Sequence, residues 1–142
     1  MSKILIIQAD FYKEISALLL EGAINKIAAT GHDYEVITVP GALEIPAVIA
    51  FAKDTNFYDG YVALGCVIRG ETTHYDYVCS ESARGLNELA IKEKLAIGNG
   101  ILTVENEAQA LERADFRKKN RGGFVANACL EMIKLRERFI PN

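Results

Sequence analysis

Short unbroken apolar runs alternate along the chain with longer stretches in which apolar positions recur every three or four residues. The first run, Ile4-Leu5-Ile6-Ile7, has the pattern of a strand covered on both faces. It exits at Gln8-Ala9-Asp10-Phe11-Tyr12. From Ile15 to Ile27 the residues Ile15, Leu18, Leu19, Ala23 and Ile27 keep helical spacing, with Gly31 placed as a C-terminal cap. Val36, Ile37 and Val39 form a second, β-branched run stopped by Pro40-Gly41. A helix follows from near Glu44 through Val48, Ile49 and Ala52, with Pro46 in its first turn, where a missing N–H costs nothing.

The third run, Tyr61 to Ile68, ends at Arg69-Gly70, and the polar turn Glu71-Thr72-Thr73-His74 leads into a helix expected from about Thr73 to Leu95. Val78, Leu86 and Leu89 mark its apolar side, and Thr72 or Thr73 can cap it. A fourth strand reads from Ile97 to Val104, weakened early by Gly98, Asn99 and Gly100. Asn106 is then an N-cap with Gln109 as its reciprocal partner, opening a short helix, Ala108 to Ala114. Arg117 to Gly123 reads as a polar break, and Phe124 to Phe139 as a last helix carrying Leu130, Ile133 and Leu135. No repeat, linker or low-complexity segment interrupts the pattern.

Strands alternating with helices predict an α/β protein: a parallel sheet between two helical layers, joined by right-handed crossovers. Ligands then gather at the carboxyl ends of the strands. Asp10 to Tyr12, Pro40 to Glu44, Arg69 to His74 and Glu105-Asn106 should therefore share one rim.

Composition narrows the function classes. A chain of 142 residues suits one domain, residues 1–142, and a net charge of −3 argues against nucleic acid as the main partner. Arg117, Lys118, Lys119 and Arg121 are the local exception. Cys66, Cys79 and Cys129 are widely spaced and never CxxC, which fits reduced thiols in the cytoplasm better than disulfides or zinc. No apolar run is long enough for a membrane span, and Ile4 to Ile7 is too short for a signal peptide.

The polar turn is the richest candidate site. Glu71, Thr72 and Thr73 at a helix start can form an anion site from free N–H groups, hydroxyls and the helix dipole, or simply cap the helix. His74 has the side chain suited to proton exchange near neutrality, or is a surface histidine. Glu44 can accept from ligand hydroxyls, or sit in a first helical turn for electrostatic reasons alone. Phe11 can stack on a flat ring, or be a core residue under its loop. Metal chemistry is disfavoured because His32 and His74 are far apart with no third ligand nearby. Cys66 lies in an apolar run, where a buried thiol is the commoner role than a nucleophile. GxGxxG and Walker patterns are missing, and the third strand lacks the Asp of a phosphoacceptor domain.

In order, Phe11, VPGALEIP (Val39 to Pro46), LGCVIRGETTHYDYV (Leu64 to Val78), GILT (Gly100 to Thr103), QALERA (Gln109 to Ala114) and NRGG with the downstream LEM (Asn120 to Met132) resemble the 6,7-dimethyl-8-ribityllumazine synthase family over nearly the whole chain. The resemblance implies a flavodoxin-like three-layer sandwich with a four-stranded parallel sheet of order 2-1-3-4. It implies condensation of 5-amino-6-(D-ribitylamino)uracil with 3,4-dihydroxy-2-butanone 4-phosphate, with no metal or cofactor. By position, Phe11 would stack on the pyrimidine, Ala42, Leu43 and Glu44 would hold the ribityl chain, and Cys66, Val67 and Ile68 would offer backbone contacts to the ring. Glu71, Thr72 and Arg113 would bind the phosphate, and His74 would move protons.

The chain departs from the family pattern at Asn99, where a Phe wall of the pyrimidine pocket is usual and where a backbone contact to the substrate would remain, and at Leu43, where an aromatic is common. Arg121 replaces Lys, and Asp115 and Lys119 replace glycines. An alternative reading is therefore a catalytically weak oligomer that binds lumazine or flavin. The resemblance further implies sites shared between subunits of a pentamer, in some members built into a 60-subunit shell, and riboflavin synthase as a possible partner. A chain that starts just before its first strand points to a pentamer rather than the shell, whereas an unexpanded loop before the last helix points the other way.

Overall fold

The computed structural model describes residues 2–140. Strands β1 (Lys3–Ala9), β2 (Asp33–Val39), β3 (Gly60–Ile68) and β4 (Ile97–Val104) form one parallel sheet of order β2-β1-β3-β4. Helices α1 (Lys13–Ala29), α2 (Ile45–Lys53), α3 (His74–Lys92), α4 (Glu107–Ala114) and α5 (Arg121–Phe139) flank it. This is the expected flavodoxin-like three-layer arrangement.

The unbroken apolar runs follow from two cores, one on each face. Successive strand residues point to opposite sides. Ile4 and Ile6 of β1, with Val62 and Leu64 of β3, pack against Leu19 and Ile27 of α1 and Cys129 and Ile133 of α5. Leu5 and Ile7, with Tyr61 and Ala63, pack against Ile45 and Ile49 of α2 and Leu86 of α3. Each such Leu or Ile contributes about 1.5–3 kcal/mol on burial. The central strands thus hold the sheet rigid under its carboxyl rim. β2 is different: as an edge strand it leaves Tyr34, Val36 and Ile37 partly exposed.

Element ends show where local signals held. Gly31 closes α1 as expected, with His32 N–H donating to Ile27 O and Gly31 N–H to Ala28 O. The cap of α4 is present with one change: Asn106 accepts from Gln109 N–H at 2.9 Å, but the Gln109 side chain reaches back to Glu105 N–H at 2.8 Å rather than to that of Asn106. α3 stops at Lys92, before the expected Leu95, because Lys94 turns left-handed at φ 56°.

The largest correction is at α5, which begins at Arg121 rather than Phe124. Asn120 is its cap, left-handed at φ 48°, and accepts from Gly123 N–H at 3.1 Å. Position 122 has to be glycine because α5 lies against α1 there: an added Cβ would sit 2.1 Å from Leu19 O. The early β4 glycines likewise serve packing. A Cβ on Gly98 would lie 2.1 Å from Val125 O.

Candidate active site

The carboxyl ends of β1 and β3 and the turn after β2 enclose a cavity of about 330 Å³. After β1 the chain turns sharply, held by Ser16 Oγ donating to Ala9 O at 2.9 Å in the interior. That turn leaves Phe11 73% exposed, edge-on to Tyr12 with ring centroids 4.9 Å apart. The core reading of Phe11 fails, and its ring borders the cavity.

After β2, Ala42–Glu44 form a single 3₁₀ turn closed by Glu44 N–H donating to Gly41 O at 3.2 Å. The Glu44 carboxylate folds back over Gly41, with Oε1 3.1 Å from where a Cβ there would stand. Ala42, the exposed Leu43 and Glu44 all line the cavity, as do Cys66, Val67 and Ile68 at the end of β3. Burial pushes the Cys66 thiol up to about 11, so at neutral pH it is protonated and a poor nucleophile.

His74 is the first residue of α3 and lines the same space. Its N–H donates to Thr72 Oγ1 at 3.2 Å, whereas Thr73 makes no side-chain cap, so Thr72 orders the helix start. Among the described residues no group hydrogen-bonds the His74 imidazole, which leaves it available to a ligand. Tyr12, placed on the rim from sequence without a role, lines the cavity, as do Tyr75 and Val78, which sequence reasoning had not assigned to the site. Burial, and secondarily Cys66, raises the Tyr12 phenol.

The remaining candidates lie elsewhere. Asn99 and Arg113 line a separate, mainly polar hollow of about 240 Å³ with Gly100 to Val104 and Arg121, and it shares no residue with the first. Asn99 is only the third residue of β4, paired with Ala63, so it falls short of the strand ends. Its Oδ1 accepts from Ile101 N–H at 3.0 Å, and Arg113 Nη1 donates to Gln109 O at 3.0 Å. Glu71 is exposed and lines neither hollow. Thr72 lines the first hollow, Arg113 the second and Glu71 neither, so the expected phosphate group does not border one cavity. Glu105 and Asn106 stand on the same rim, where Glu105 accepts from Arg69 and Asn106 caps α4, but neither lines the cavity.

His32 sits at the amino end of the sheet, where Nδ1 accepts from Ser2 N–H at 3.0 Å. Among the described residues no three His, Cys, Asp or Glu side chains converge as a metal site would need, and no helix is long and apolar enough to cross a membrane.

The model of the family described as 6,7-dimethyl-8-ribityllumazine synthase matches residues 1–137. The chain belongs to this family. It is similar to 6,7-dimethyl-8-ribityllumazine synthase of Bartonella bacilliformis, 60% identical over 141 residues that cover 98% of this chain and 93% of the relative. Similar relatives include the protein of that name from Bartonella tribocorum, 57% identical over 140 residues at 98% and 93% coverage. 6,7-dimethyl-8-ribityllumazine synthase 1 of Rhizobium meliloti is 54% identical over 140 residues, at 95% and 92% coverage. In this member of the lumazine synthase family, Leu64 to Val78 supplies the end of β3, the polar turn and the first turns of α3.

Proposed function

We propose that the chain is a transferase that condenses 5-amino-6-(D-ribitylamino)uracil with 3,4-dihydroxy-2-butanone 4-phosphate to 6,7-dimethyl-8-ribityllumazine, releasing phosphate and water in the penultimate step of riboflavin biosynthesis. The observation that carries this reading, beside family membership, is the cavity itself. An exposed aromatic ring, a carboxylate, strand-end backbone and an imidazole all border one space. Phe11 stacks on the pyrimidine, Ala42, Leu43 and Glu44 hold the ribityl chain, and the backbone of Cys66, Val67 and Ile68 meets the ring edge.

The substrate's amine supplies the attacking electron pair, which agrees with a protonated Cys66. His74 moves protons as the imine forms, phosphate leaves and the ring closes. Most of the acceleration comes from holding two reactants in one orientation, which is worth several kcal/mol, up to about 10. Incubation with both substrates should give lumazine absorbance and inorganic phosphate together. Binding of lumazine or flavin without turnover would instead favour the weak binding protein; neither would sink both readings.

Phosphate binding calls on Thr72 and Glu71 from one chain and on Arg113, beside Asn99, from another. Two disjoint hollows on one subunit support a site completed by an adjacent copy, in a pentamer or a multiple of pentamers. The exposed rings of Phe51, Phe57 and Phe124 supply apolar surface for such contacts. Loss of the Arg113 fork should raise KM for the phosphate substrate about tenfold or more, because hydrogen bonds to charged groups are worth about 1.5–3 kcal/mol. An Arg113→Ala protein with unchanged KM would remove it from the anion site. If sites are shared, co-assembly of Arg113→Ala with His74→Ala subunits restores activity at about a quarter of sites. The setting is the cytoplasm, and riboflavin synthase is the expected user of the product and a possible partner.

A further inference from the structure

The polar turn between β3 and α3 has few anchors of its own. Among the described residues, the only side-chain hydrogen bond made by Gly70 to Thr73 is the one Thr72 accepts. Its backbone bonds, Asp76 N–H and Tyr77 N–H to Thr73 O, belong to the first turn of α3. The two residues that bracket it are tied far more firmly. Arg69 N–H donates to Val104 O at 3.0 Å, and Arg69 Nε reaches both Glu105 oxygens, at 3.1 and 2.9 Å. The guanidinium also lies 4.3 Å from the centre of the Tyr75 ring, with Nη2 3.7 Å from Asp76. Tyr75 lines the cavity, and its phenol lies beside Thr103 of β4 and Cys79 of α3.

We infer that Arg69 and Tyr75 form a staple that closes the Gly70 to His74 turn and sets where the His74 imidazole stands, making Arg69 a positioning residue for the condensation. The inference rests on the reaction proposed above. Its physical basis is the guanidinium, which meets the Glu105 carboxylate through Nε and lies over the Tyr75 ring at the same time. Lysine, a point charge at the end of its stem, has neither an Nε–H donor partway along it nor a plane to lay over the ring. The staple is solvent-exposed, so its pairs add little to global stability. What it restricts is a turn that would otherwise open locally. Misplacing a catalytic group by about 1 Å can cost on the order of 10²-fold in rate, so a loose turn shows in kcat.

The test compares Arg69→Ala, Arg69→Lys, Tyr75→Leu and Tyr75→Phe in the full-length protein. Hydrogen exchange of amides 70–77, thermal melting and steady-state kinetics with both substrates are read together. Arg69→Ala should exchange at least about tenfold faster across this segment and lose at least about tenfold in kcat, with the melting temperature and KM for the pyrimidine little changed. Arg69→Lys should resemble Arg69→Ala, and Tyr75→Phe should lose much less than Tyr75→Leu. Unchanged exchange in Arg69→Ala overturns the staple, and full recovery of kcat by Arg69→Lys shows that only the charge matters and overturns it too. A wild-type protein that makes no lumazine defeats the proposed reaction, while the exchange measurement still decides whether the turn is stapled.

Discussion

His74→Ala is expected to lower kcat by on the order of 10²-fold, since a positioned acid–base group typically contributes 10²–10⁴ and orientation of the two substrates survives its loss. The geometry supports the size of the effect. The imidazole opens α3 on the cavity wall, is exposed, and has no hydrogen-bond partner among the described residues to hold it away from a ligand. Imine formation, phosphate loss and ring closure each relocate a proton, and no other candidate in the cavity is so well suited. Cys66 is held protonated by burial, and Tyr12 is raised above its ordinary range. Because His74 is exposed, stability should stay within about 0.5 kcal/mol of wild type. Equal kcat for His74→Ala and wild type, measured at saturating levels of both substrates, would transfer the proton traffic to water or to a substrate group.

The second large effect is on folding. Gly98→Ala adds one methyl group, yet its carbon would stand 2.1 Å from Val125 O and 2.9 Å from the Val125 carbonyl carbon. Those atoms are helix backbone, which has no side-chain rotamer to yield, so α5 must lift from β4. Buried contacts on that side, including Cys129 and Ile133, loosen with it. Overpacking usually costs 1–3 kcal/mol and occasionally more, and a loss of about 3 kcal/mol would lower the melting temperature by about 10 °C. Gly70→Ala is the control for stability, because a Cβ there meets nothing within 4 Å. A Gly98→Ala protein melting with wild type would show that α5 rides on β4 with more slack than these contacts allow.

The alternation of apolar runs and helical periods was enough to read the sheet, since the two-sided burial of Ile4 to Ile7 and Tyr61 to Leu64 is written directly into their composition. Ile97–Val104 has the expected bounds despite its glycines. Misreadings fell where one segment's conformation depends on another. Asn120 to Gly123 looks like a loop locally, but Gly122 is the space that α1 requires for its approach, and only the tertiary structure reveals it. At the site, the residues following β1, β2 and β3 converge because parallel strands share a rim. Tyr75 and Val78, inside a helix, gave no sequence signal separating site from core. Arg113 matched the family pattern in order and Asn99 departed from it, but order along a chain does not say which hollow a side chain borders.

The outer edge of β4 has a further consequence. A terminal strand offers unpaired amides to any extended segment nearby, a hazard from the moment the sheet forms. Asn99 turns its own carboxamide onto Ile101 N–H, so a donor on that edge is occupied from within. An aromatic at position 99 would lack this group and would leave the donor open. The same side chain that makes the hollow wall more polar thus leaves one fewer free donor on that edge.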